Sequence, residues 1–184
     1  MRAHESESIA ISGIRSFFAL HPEIQVAESA LALSGGRDSS LLARLLVDLG
    51  MAPALSIYVN HRLRSNSELE AEICIIEKIC GNLGIPLSIL DIGPGSIERL
   101  ARFQGIGIEA AARRLRYQAL VEETKKKGLK AILTGHHQDD QLETLFLRLM
   151  RSSGSKGLGC MRAVRQIGPG IKLARPLLGV ASRD

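Results

Sequence analysis

The residues best able to do chemistry fall in four short stretches. The first is Ser34-Gly35-Gly36-Arg37-Asp38-Ser39-Ser40, set between the apolar run Ala30-Leu31-Ala32-Leu33 and the apolar-periodic segment Leu41 to Leu49. Strand, glycine turn and helix start follow one another there, a setting suited to phosphate. Glycines let backbone amides approach an anion closely, and N–H groups at a helix N-terminus stabilise its oxygens. Ser34, Ser39 and Ser40 offer hydroxyl donors or helix caps, and Asp38 could hold a magnesium ion carried in by a nucleotide. A strand-to-helix turn can need glycine for conformation alone, but a Ser-Gly-Gly-x-Asp-Ser string is far more specific than a bare glycine pair. No Gly-Lys-Ser/Thr follows, so this is not a Walker loop. Arg37 adds at most one further phosphate contact.

The second stretch is Thr134-Gly135-His136-His137-Gln138-Asp139-Asp140-Gln141-Leu142-Glu143. At roughly 100° per residue, Leu142, Leu145, Phe146 and Leu149 share one helical face. Asp140 and Glu143 lie on another, with Asp139 at the border. Three carboxylates beside two histidines could orient an ammonium, bind magnesium or accept a proton. Acids also favour helix N-termini on dipole grounds, and capping could account for one of them. Adjacent histidines with no cysteine nearby do not have zinc-ligand spacing.

In the third stretch, Glu109 to Tyr117, Glu109 and Arg113 are four apart, which by itself gives only a surface ion pair. Arg113, Arg116 and Tyr117 line one side of that helix, where arginine suits a carboxylate or a phosphate. The fourth, Arg148 to Met161, ends a helix in arginines and continues into a glycine-rich basic loop containing Arg151, Lys156 and Cys160. Such a loop can simply connect, or can close over substrate and touch RNA phosphates.

These groups need a scaffold. The pattern predicts helices over about Ser6–Leu20, from the phosphate loop to Gly50, from Ser65 with a Ser65/Glu68 capping box, over Ile108–Lys127 and over Gln138–Arg151. Strands are predicted at Ser29–Leu33, Pro53–Asn60, Leu87–Ile92, Lys130–Thr134 and Ile171–Leu173. Gly93 to Gly107 reads as a looser stretch, and the chain beyond Arg151 as loop-rich. Strands alternating with helices imply a parallel sheet with helices on both faces and a ligand crevice beyond the strands' carboxyl ends. The phosphate loop, Asn60-His61 and Gly135-His136-His137 all leave strands at that edge. At 184 residues and 45% hydrophobic, the chain suits one α/β domain. Its net charge of +5 permits a polyanionic partner without requiring one. Three cysteines with no close pair give neither a disulfide framework nor a zinc pattern, so a reducing cytoplasm is the expectation. No apolar run is long enough to cross a bilayer.

The Ser34–Ser40 string resembles the phosphate loop of the PP-loop ATP-pyrophosphatase superfamily. Taken with Val59-Asn60-His61-Arg62-Leu63-Arg64, Gly84-Ile85-Pro86, Glu109–Tyr117, Thr134–Thr144, the Arg151–Met161 loop and Arg175-Pro176-Leu177-Leu178, it is similar to the catalytic domain of tRNA(Ile)-lysidine synthetases. The resemblance implies a Rossmann-like adenine nucleotide alpha hydrolase fold. It implies ATP and Mg2+ as cofactors, and an isoleucine tRNA with a CAU anticodon and free lysine as substrates. The wobble cytidine is adenylated at its C2 carbonyl, and the lysine ε-amine then displaces AMP. Carried over residue by residue, Ser34, Gly35, Gly36, Arg37, Asp38, Ser39 and Ser40 hold ATP, with Asp38 on magnesium. Asp38, Arg113, His136, Asp139 and Glu143 serve catalysis, and Arg113, Asp139, Asp140, Glu143 and Arg151 bind substrate.

Arg62 stands where the family often has a small or polar residue. Residues 1–184 are expected to form a single catalytic domain without the C-terminal domains with which many members grip tRNA. The rival readings are another tRNA-modifying enzyme of the superfamily, such as a 2-thiolation enzyme, and a non-catalytic nucleotide- or RNA-binding remnant. The Glu-Ala-Ala-Ala-Arg helix and the lack of Cys-x-x-Cys disfavour thiolation.

Overall fold

The computed structural model describes residues 2–61, 66–143 and 161–181. Its helices are α1 (Arg2–Leu20), α2 (Arg37–Asp48), α3 (Asn66–Leu83), α4 (Ser96–Gln104) and α5 (Ile108–Lys126). Its strands are β1 (Ser29–Ala32), β2 (Leu55–Asn60), β3 (Leu87–Asp91), β4 (Ala131–Leu133), β5 (Val164–Gly168) and β6 (Ile171–Ala174). Residues 138–143 are also helical. Among the described residues the strands form one six-stranded sheet in the order β3-β2-β1-β4-β6-β5. All neighbours pair in parallel except β5 with β6.

The two faces of the sheet follow from the two-residue alternation of side chains along a strand. Leu31, Leu33, Tyr58 and Leu133 point into a core completed by Ile14 and Phe17 of α1, Leu42, Leu45 and Leu46 of α2, and Ile76 of α3. Ala30, Ile57, Val59, Ile132 and Leu173 enter a second core with Ile97 and Ala101 of α4 and Ala111, Ala112 and Leu120 of α5. The result is the expected α/β sandwich. Leu42, Leu45 and Leu46 are each 0% exposed. Each contributes about 1.5–3 kcal/mol of burial, far more than the exposed Arg44–Asp48 ion pair on the opposite side of α2. Packing, rather than surface charge, anchors the helix that carries the phosphate loop.

Two elements depart from the sequence reading. The looser stretch after Gly93 contains α4, whose ends are glycines in the left-handed region, Gly95 (φ 69°) and Gly105 (φ 63°). Glycines that read as loop punctuation are its two caps, while Ile97 and Ala101 supply a buried face. The loop-rich end contains β5, an antiparallel edge strand that makes the sheet mixed. Its exposed Arg165 and Gln166 hide the alternation that normally marks a strand. The Ser65 capping position, Arg62, and residues 144–160, where the continuation of the helix and the basic loop were expected, lie outside the described residues.

β1 sits between β2 and β4. The chain builds β2 and β3 on one side of it, then crosses to β4 on the other. Loops leaving β1 and β4 therefore diverge and leave a crevice between them, the topological switch point at which open α/β sheets bind ligands.

Candidate active site

The crevice is a cavity of about 430 Å³, within the usual range for a small-molecule site. Ser34, Gly36, Asp38 and Ser39 line it from the phosphate loop, and Thr134, Gly135, His136 and Asp140 from the segment after β4. Its apolar wall comes from Ile57, Val59, Leu69 and Leu120.

The phosphate loop is shaped by its own hydroxyls. Ser39 Oγ donates to the Gly36 carbonyl at 3.1 Å and accepts from the Ser34 amide at 3.2 Å. Ser40 Oγ also donates to the Gly36 carbonyl, at 2.9 Å. The N-cap of α2 is Gly36, with no side-chain cap bond. Ser39 and Ser40 thus follow the cap and brace the turn from inside the helix. The first intrahelical bond runs from the Ser40 amide to the Gly36 carbonyl at 3.2 Å. First-turn amides ahead of it have no carbonyl four residues back, which leaves the helix end suited to an anion. Gly35 has φ 72°, and a Cβ there would also fall 3.1 Å from Glu72 Oε1 on α3. The conformation demands glycine at that position, and any side chain there would also have to push Glu72 aside.

Gly135 joins the two halves. A Cβ on it would lie 2.8 Å from the carbonyl carbon and oxygen of Asp38 and from the Ser39 amide nitrogen. The segment after β4 therefore lies directly on the backbone of the phosphate loop. Just beyond, His137 Nε2 is 3.5 Å from Asp38 Oδ2 and 3.6 Å from Asp140 Oδ2. His137 and Asp140 also cap the following helix reciprocally. The His137 amide donates to Asp140 Oδ2 at 2.8 Å, and the Asp139 amide donates to His137 Nδ1 at 3.2 Å. With Nδ1 accepting, a neutral His137 carries its proton on Nε2, toward the two carboxylates. One of the three acids thus has the capping role that dipole arguments allow.

His136 behaves differently. Its Nδ1 is 2.8 Å from Thr134 Oγ1. Burial, followed by the positive field of Arg175, lowers its pKa from 6.5 to about 4, against an opposing pull from Asp140. A ring this weakly basic is a poor acceptor for an ammonium proton and a good neutral hydrogen-bonding group near pH 7. His61 also faces the cavity, and burial, then Arg116, lowers its pKa while Glu72 opposes.

Among the described residues no three His, Cys, Asp or Glu side chains converge as a metal cage. Asp38 and Asp140 instead offer hard carboxylate oxygens that each lie within 3.6 Å of His137 Nε2. That donor set fits Mg2+ held by one or two carboxylates plus phosphate.

A family model for the PP-loop domain matches residues 11–184. The chain belongs to the PP-loop family. Its tRNA(Ile)-lysidine synthase relatives include those of Pseudomonas aeruginosa, 40% identical over 170 residues, and Novosphingobium aromaticivorans, 38% over 179. These alignments cover 90% and 95% of this chain but 36% and 51% of the relatives. The chain thus spans between a third and a half of their length. Among solved structures, the U34-tRNA thiolase NcsA of Methanococcus maripaludis superposes with a TM-score of 0.69 at 19% identity, covering 94% of this chain and 58% of that one. An NH3-dependent NAD synthetase from Campylobacter jejuni gives 0.59 at 16%, covering 95% and 67%. At these identities the likeness speaks for the fold alone.

In this PP-loop domain the residues singled out from sequence divide. Ser34, Gly36, Asp38, Ser39, His136 and Asp140 line the cavity, while Gly35, Arg37, Ser40, Asp139 and Glu143 do not. Gly35 acts through conformation. Arg113 is exposed and does not line the cavity; Arg116, one helical turn further along the same face, does. Arg151 lies outside the described residues. Glu72 carried no sequence signal, since it is one acid among several on α3, and only the packing of α3 on the PP-loop brings it to the cavity. The Arg175-Pro176-Leu177-Leu178 motif gains a structural reason. Leu177 and Leu178 are buried, and the Val180 carbonyl accepts from the Gln138 amide at 2.9 Å, tying down the helix that carries the acids.

Proposed function

We propose that this chain is the catalytic portion of a tRNA(Ile)-lysidine synthetase, joining lysine to the wobble cytidine of an isoleucine tRNA at the expense of ATP. The observation that carries the reading is the seating of Gly135 on the Asp38–Ser39 backbone, which gives a phosphate-binding turn and an acid-rich helix one shared cavity. Similarity to synthases of that name supports the choice of substrate.

In the first step the cytosine O2 attacks the α-phosphorus of ATP and pyrophosphate leaves. The first-turn amides of α2 would take up the developing charge on the leaving group. Mg2+, held by Asp38 and phosphate oxygens, would supply further charge neutralisation when bound. In the second step the lysine ε-nitrogen bonds to C2, the C2–O bond to AMP breaks, and the amine gives up its proton. Asp140, on the cavity wall, would hold the ammonium form and orient it, while Asp139 and Glu143, on the same helix but off the cavity lining, would add negative charge nearby. The proton would pass to one of these carboxylates or to solvent, with His136 serving as a neutral hydrogen-bonding group. Positioning of the two reactants supplies much of the acceleration.

The relatives named for lysidine synthesis favour this reading over thiolation, and among the described residues neither Cys74 nor Cys80 lines the cavity. The deciding experiment is ATP–pyrophosphate exchange with a tRNA(Ile) transcript, followed by lysine-dependent release of AMP. Asp38→Ala is expected to abolish exchange. Exchange at the wild-type rate in that variant would remove Asp38 from the mechanism, and AMP release indifferent to lysine would defeat the ligase reading.

A further inference from the structure

Beside the cavity lies a group of cations for which the mechanism above has no use. The guanidinium carbons of Arg113, Arg116 and Arg165 lie 5.3, 5.4 and 5.9 Å from the centre of one ring, that of Tyr117. Arg113, Arg116 and Tyr117 sit at positions i, i+3 and i+4 of α5, one helical face, and Arg165 reaches the ring from the edge strand β5. Arg175, 3% exposed, adds a fourth cation at the end of β6. Its Nη1 donates to the Arg162 carbonyl at 2.7 Å. Its Nε makes no hydrogen bond, nor do Arg116 Nε and the Tyr117 hydroxyl, although that hydroxyl lies near enough to Arg175 to favour its charge. Among the described residues none of the four arginines pairs with a carboxylate. Cation–π attraction to one ring is worth about 0.5–1 kcal/mol per exposed arginine, and four converging positive charges oppose it. Burying an arginine nitrogen without a partner costs more still. Such an arrangement is complete only with an anion.

We infer that the Arg113–Arg116–Arg165 cluster around Tyr117, backed by Arg175, is an RNA phosphate subsite that holds the phosphodiester next to the base inserted in the cavity. The inference rests on the RNA-modifying reading above and deepens it. Arg116 belongs to both the cluster and the cavity wall, so an anion at the cluster is one side chain away from a base in the cavity. Charge decides between the anions at hand. Free lysine carries a net positive charge near pH 7, so its carboxylate arrives with two ammonium groups that the cluster repels. A phosphodiester brings negative charge alone, and guanidinium forks match its oxygens in pairs. The phosphates of ATP have their own amides at α2.

The test uses an exposed member on the edge strand, Arg165, whose replacement leaves the core intact. Binding of a short RNA stem-loop with a CAU loop is measured at several salt concentrations for the full chain and its variants, with ATP binding followed in parallel as a check on folding. Arg165→Gln is expected to weaken RNA binding roughly three- to tenfold and to lower the slope of log affinity against log salt by about one. Arg165→Lys keeps the charge and should keep the slope. Tyr117→Phe, which removes only the buried hydroxyl, should also weaken RNA binding while sparing ATP. Unchanged RNA affinity and slope in Arg165→Gln overturns the subsite. So does a raised lysine KM with normal RNA binding, which would make the cluster a carboxylate site. A wild-type chain that binds ATP but shows no affinity for the stem-loop would sink the RNA reading itself, a failure distinct from the loss of the cluster alone.

Discussion

Replacing Gly135 by alanine tests the joint between the two halves of the site. Gly135 is absent from the left-handed glycines, so alanine carries no backbone penalty there and the whole effect comes from contact. The new Cβ would meet three backbone atoms at 2.8 Å, whereas ordinary contact begins at 3.4 Å. Backbone cannot rotate aside as a side chain can, so the segment after β4 and the start of α2 must separate by roughly half an ångström. Overpacking of this kind costs about 1–3 kcal/mol. With a urea m-value of about 2 kcal/mol per molar, the midpoint should fall by about 0.5–1.5 M. ATP should bind about tenfold more weakly, equivalent to about 1.4 kcal/mol, because the displaced backbone includes the phosphate-binding turn. Urea denaturation followed by circular dichroism and ATP titration calorimetry measure the two effects. Gly81→Ala is the control: it is exposed inside α3, has nothing within 4 Å and should stabilise slightly. A Gly135→Ala protein with wild-type midpoint and wild-type ATP affinity would refute the close approach on which the site depends.

Two further outcomes are expected. Because the folded pKa of His136, about 4, lies below its ordinary 6.5, the unfolded chain binds more protons between those values, and stability must rise with pH across that window. The contribution is fully present above pH 6.5 and is lost as pH falls toward 4. His136→Asn should therefore flatten the stability profile between about pH 5 and 6.5, and superimposable wild-type and variant slopes would contradict the burial argument. Glu143→Gln should raise the lysine KM about threefold while sparing ATP, as loss of negative charge beside the cavity predicts, and a rise confined to ATP would exclude Glu143 from lysine use.

The elements nearest the chemistry were legible because their signals are local. Ser34–Ser40 declares a glycine turn between an apolar strand and a helix, and β1 and α2 form there within a residue or two of expectation. Asp140 illustrates the limit of local reading. Its position predicts a helix-capping acid or an active-site acid, and the structure gives it a capping bond to the His137 amide and a place on the cavity wall. Arg113 marks a different limit. Helical periodicity groups it with Arg116 but cannot say which of the two faces the cavity, since that depends on how α5 is rotated against the sheet. Leu142, expected on an apolar face, is 48% exposed among the described residues.

The amino-acid order alone determined the alternating architecture, the phosphate turn and the acid-rich helix, because each is written in residues only a few positions apart. The tertiary structure alone decided that Gly135 rests on Asp38, that Glu72 reaches the turn, and that Arg165 joins Arg113 and Arg116 around Tyr117. Those contacts span tens of residues and follow from strand order and helix rotation. Both are set by the burial of the two apolar faces of the sheet, which no short stretch of chain encodes.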